Sequence, residues 1–126
     1  MALNFDFLEY SNPELYELGS KMEANMFTDH KASAQYGSDF LNALLKAVYA
    51  KEGMNYVYKS FFTKNMDELE QKGIISPEIQ QKFEKAKLLR DYTFERNGSL
   101  DRTLALRSTL VELAAWFFNK YERSNN

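Results

Sequence analysis

The stretch SLDRTLALRSTLVELAAWFFNKY, residues 99–121, carries the widest apolar face of the chain. Its side chains recur at helical spacing in two neighbouring stripes. The first stripe contains Leu104, Ser108, Val111, Ala115 and Phe118, and the second contains Leu106, Leu110, Leu113, Phe117 and Tyr121. A helix with two adjacent stripes of this kind is covered on most sides. The sequence therefore predicts the central helix of an all-α domain, with Trp116 buried inside it.

Capping residues mark the start of two helices near the N-terminus. Asn12 and Asp29 offer side-chain oxygens to free backbone N–H groups, and Pro13 at a first helical position loses no hydrogen bond. Both starts are followed by leucines at core spacing. We expect the first helix to end near Thr28 and the second to end near Lys51.

Two more helices and an apolar arm complete the predicted domain. A short third helix ends at Gly73, after an irregular aromatic link within residues 53–65. Ser76-Pro77 starts the fourth helix, and Asn97-Gly98 ends it. Residues 1–11 are apolar and uncapped, which favours an ordered arm laid across the bundle. The prediction is one domain, residues 1–126, with about five helices.

Composition narrows the classes of function. The chain of 126 residues has no cysteine and one histidine, which removes disulfides, thiolate zinc sites and cysteine nucleophiles. It opens without a signal-peptide pattern and has no apolar run long enough for a membrane helix, so we expect a cytoplasmic protein without a membrane partner. No residue spacing indicates a catalytic group, a bound cofactor or a metal site.

Charge is unevenly distributed along the chain. Residues 1–75 hold 7 basic and 11 acidic side chains, whereas residues 76–126 hold 9 basic and 7 acidic ones. The net charges of the two parts are therefore −4 and +2. Any surface that binds an anion or an acidic partner is expected in the second part. The candidates are Lys82, Lys85, Arg90, Arg96 and Arg102.

Acidic residues between these candidates favour a simpler interpretation. Glu84 and Asp91 are placed among the cations, as in an ordinary solvated helix with ion pairs. Arg90 follows the apolar face of its helix, so its guanidinium is expected to bind a carboxylate or helix-end carbonyls. Both interpretations remain open from the sequence.

Four motifs in order resemble a small helical family that occurs at the N-termini of type I restriction R subunits and related DEAD/DEAH-type helicase proteins. The matching segments are Asn4–Leu8 with Asn12–Leu15, Glu23–Phe40, Gly73–Ile79, and Leu113–Phe118 with Tyr121. The resemblance covers nearly the whole chain and implies a HEPN-like bundle. Some HEPN-like proteins are metal-independent ribonucleases that use an Arg followed by a His.

The resemblance is incomplete where that chemistry would lie. Arg90 matches the family's arginine, but residues 91–98 lack the Gly-Asn pair and the histidine of restriction-associated relatives. The only histidine, His30, is at the start of the second helix. An RNA-cleaving site would have to be formed by Tyr92, Glu95 or Arg96, and it would lack a general base that titrates near neutral pH.

The resemblance implies a non-catalytic accessory module. It would form the N-terminal part of a type I restriction R subunit or a related helicase, and would position motor and nuclease domains, partner subunits or DNA. The alternative is a free-standing HEPN-type ribonuclease or toxin-like protein that uses Arg90. A homodimerisation module is a third hypothesis.

Overall fold

A computed structural model describes residues 4–56, 62–96 and 99–123, with the backbone alone for residues 94–96. Within these ranges the chain is all-helical. The five α-helices are α1 (Pro13–Asn25), α2 (His30–Lys51), α3 (Phe62–Gln71), α4 (Pro77–Arg96) and α5 (Leu100–Phe117). A 3₁₀ turn at Asp6–Leu8 precedes α1, and a π-helical turn at Phe118–Glu122 continues α5.

Side-chain caps begin the helices where the sequence predicts them. Asn12 Oδ1 accepts from Leu15 N at 3.2 Å, and Asp29 Oδ1 accepts from Ala32 N at 3.0 Å. Ser99 Oγ does the same for α5. These bonds satisfy N–H groups that have no partner within the helix.

The C-terminal ends of the helices agree with the predictions in some cases and differ in others. The α2 helix ends at Lys51, as predicted, but α1 ends at Asn25 rather than near Thr28. Gly53 and Gly73 have positive φ angles of 68° and 72°, and they terminate the turns after α2 and α3. The predicted turn at Asn97-Gly98 and residues 57–61 of the aromatic link lie outside the described residues.

The helices α1 and α2 form an antiparallel pair joined by one buried hydrogen bond, from Ser33 Oγ to Met22 O at 2.7 Å. The α5 helix runs parallel to α2, since Leu106 packs at Gly37 while Tyr121 hydrogen bonds to Glu52. The α4 helix runs antiparallel to α5. The α1–α2 turn, the C-terminal end of α4 and the start of α5 therefore lie at the same end of the bundle.

One of the two predicted stripes of α5 forms the core. Leu106, Leu110, Leu113 and Phe117 are completely buried. In the other stripe Val111 is also buried, while Ser108 is exposed. Trp116, which belongs to neither stripe, is half-buried rather than buried as expected. Trp116 packs edge-on against Phe83 at the rim of the core, with ring centroids 6.1 Å apart. The α5 helix is central and covered on most sides, as predicted, since its exposed residues are limited to Asp101, Arg102, Ser108 and Glu112.

The segment before α1 packs against the bundle. Phe5 and Leu8 are buried, and the Phe5 ring lies 4.8 Å from the ring of Phe40, centroid to centroid. Phe7 packs edge-on against Phe118, with centroids 5.5 Å apart. Residues near the two ends of the described chain are thereby brought together at one end of the bundle.

Candidate functional site

Asp91 is the centre of a small ion-pair cluster on α4. Arg90 Nε and Nη2 each lie 3.1 Å from Asp91 Oδ1, while Lys87 Nζ lies 2.8 Å from Asp91 Oδ2. Burial alone would raise the pKa of Asp91, but the Lys87 hydrogen bond and the Arg90 charge outweigh it and lower that pKa. Arg90 thus binds a carboxylate, which is the simpler of its two interpretations.

Two other cations of the basic half bridge helices. Lys82 Nζ lies 3.2 Å from Glu112 Oε1 and joins α4 to α5. Arg107 Nη2 lies 2.7 Å from Glu23 Oε2 and joins α5 to α1. Glu23 is 84 positions from Arg107, so sequence spacing alone could not reveal this pair. Both cations have a structural role.

The remaining candidates lie on the outer side of α4 and at the start of α5. Lys85 and Arg102 are exposed, and within the residues that the structure describes neither has an acidic partner. The Arg102 guanidinium lies 3.7 Å from the centroid of the Tyr92 ring, a short cation–π contact. The Arg96 side chain lies outside the described residues. Among the described candidates, Lys85 and Arg102 are thus the two cations that have no ion pair with a described carboxylate.

Leu88 is a surface residue that the sequence analysis did not single out. Its side chain is 67% exposed, one helical turn before Tyr92, which is 36% exposed. The sequence does contain one signal for the exposure of Leu88, which is its position on the helix. Leu88 follows Glu84 by four residues and so belongs to the polar side of α4, away from the inward Phe83 and Ala86.

The described residues offer little of the geometry of an enzyme site. They contain no group of three or more His, Asp or Glu side chains able to hold a metal ion. His30 lies at the start of α2, and its side chain has no hydrogen bond to another described residue. The Tyr49 hydroxyl donates to Glu68 Oε1 at 2.8 Å and lies 3.1 Å from Asn65 Oδ1, and burial raises its pKa. The Tyr49 hydroxyl thus has a structural role, as a contact between α2 and α3.

The described residues line at least two open grooves on the surface. One, of about 500 Å³, follows a single face of α1 from Pro13 to Ala24. The other, of about 280 Å³, lies between α1 and α2 and reaches Tyr56. Its charged lining residues are Glu14, Asp39 and Lys46, which carry both negative and positive charge. Among the described residues, no helix is long and apolar enough to cross a membrane.

Comparisons of the chain with protein-family models, with curated proteins and with solved structures found no match. The observations that bear on function are therefore the motifs of the sequence, the all-helical bundle and the ion pairs of its basic half.

Proposed function

We propose that the chain is a HEPN-like accessory domain, residues 1–126 with an apolar arm at residues 1–11, of a type I restriction R subunit or a related helicase. It binds and positions other parts of the complex, either motor and nuclease domains, partner subunits or DNA. It performs no chemistry of its own. The observation that carries the proposal is the order of four family-like motifs along one helical chain.

The bundle supports this proposal because the motifs lie at a helix cap, at a turn and in the core. Asn12–Leu15 forms the capped start of α1, and Gly73–Ile79 forms the turn into α4. Leu113–Phe118 holds buried residues at the end of α5. Motifs at caps, turns and core positions are what two sequences share when they share a fold.

Pairing of the cations supports binding over catalysis. Arg90, the residue that matches the family's arginine, is 18% exposed in its side chain and is neutralised by Asp91. A ribonuclease needs a general base within reach of the ribose hydroxyl, and residues 91–98 contain no histidine. An accessory domain needs only a stable bundle with an exposed contact surface.

Deletion of residues 1–126 from a longer parent protein tests the proposal. The motor domains should retain ATPase activity, whereas subunit assembly or DNA binding should be lost. A point-mutant pair sharpens the test. Leu110→Asp places a charge in the core and should reproduce the deletion, and Ser108→Asp on the exposed side of the same helix should not. Intact assembly and DNA binding after the deletion would contradict the proposal.

The ribonuclease alternative has a direct assay. Purified chain is incubated with RNA in the presence of a chelator, alongside Arg90→Ala. The proposal expects no cleavage by either protein. Cleavage that disappears in Arg90→Ala would replace the accessory-domain proposal with the enzymatic one.

A further inference from the structure

We draw no further inference here: the strongest candidate, the open groove along the outer face of α1 from Pro13 to Ala24 with the exposed Phe27 just beyond it, is an unpartnered helix face, and nothing in the structure shows what covers it.

Discussion

Gly19 is the residue through which the N-terminal segment contacts α1. A glycine inside a helix ordinarily destabilises it, and replacement by alanine gains about 0.5–1 kcal/mol. Here the Phe5 ring occupies the place of a side chain, and an added Cβ would clash with it. We predict that Gly19→Ala lowers the free energy of unfolding by about 1–3 kcal/mol, as overpacking does. Urea denaturation measures the change.

A double-mutant cycle isolates the clash. In a Phe5→Ala background the ring is absent, so Gly19→Ala should become neutral or stabilising. Ser20→Ala on the same helix is the control and should change stability by less than about 0.5 kcal/mol. An equal loss in both backgrounds would show that another contact of Gly19 is responsible.

The charge state of Asp91 gives the stability a defined pH dependence. Its pKa is lower in the folded chain than in the unfolded chain, despite burial, because of Lys87 and Arg90. Its contribution is therefore complete above the unfolded value of about 3.9 and is lost as pH falls through the folded value. We predict that Asp91→Asn is destabilising at pH 7 and that the difference from wild type shrinks in acid. Thermal unfolding across this pH range measures it.

A second variant tests the cause of the Asp91 shift. Lys87→Gln removes the cation that donates to Asp91 Oδ2 at 2.8 Å and leaves the carboxylate in place. The loss of stability in acid should become shallower than in wild type. A wild-type pH profile in this variant would be inconsistent with the Lys87 hydrogen bond as a main cause.

At the scale of elements, α3 is the helix with the weakest attachment. Its buried apolar residues are Met66 and Leu69, and its polar contact with α2 is the Tyr49 hydroxyl at Glu68 and Asn65. We predict that amides of α3 exchange hydrogen faster than those of α5. Tyr49→Phe should accelerate exchange in α3 by roughly tenfold, the equivalent of about 1.4 kcal/mol, because a bond to a charged acceptor is lost.

Tyr36→Phe is the matched control for Tyr49→Phe. Tyr36 also lies on α2, is half-buried, and has no hydroxyl hydrogen bond to another described residue. It should leave exchange in α3 unchanged. If Tyr49→Phe accelerated α3 and α5 equally, the bond would stabilise the whole bundle rather than α3.

Capping residues and apolar spacing predicted most of the helices, but they could not predict the contacts between helices. Caps such as Asn12 and Asp29 act within one turn, so the sequence around them suffices. The two stripes of α5 could not be ranked, since spacing alone does not tell which face meets α2. The exposure of Ser108 and the pairing of Arg107 with Glu23 depend on how helices pack. The exposure of Leu88, in contrast, could have been predicted from its position four residues after Glu84 on the polar side of α4.

At the scale of the whole molecule, an ion pair joins the acidic and basic parts of the chain. Arg107 of the basic part pairs with Glu23 of the acidic part, across the α1–α5 contact. The net charges of −4 and +2 along the sequence are therefore partly neutralised where the two parts meet.

The segment before α1 belongs to the core of the whole molecule. Phe5 and Leu8 are buried against other helices. We predict that deleting residues 1–11 lowers the free energy of unfolding by at least about 4 kcal/mol, since each lost side chain leaves a cavity. Such a loss is a large share of the 5–15 kcal/mol typical of a domain. Calorimetry of the truncated chain measures it.

Tyr10→Ala is the control for this deletion. Tyr10 is 89% exposed, so its replacement should change stability by less than about 0.5 kcal/mol. A truncated chain with near-wild-type stability would show that the bundle closes without Phe5 and Leu8.

The edge-on packing of Phe7 against Phe118 has a consequence for synthesis on the ribosome. The chain emerges from its N-terminus, so α1 to α4 leave the exit tunnel before the helix that fills their shared groove. Until α5 emerges, the apolar faces of α2 and α4 are open to water and to other nascent chains. Completion of the core therefore requires α5, and the interval before α5 emerges is when these apolar faces are most exposed to aggregation.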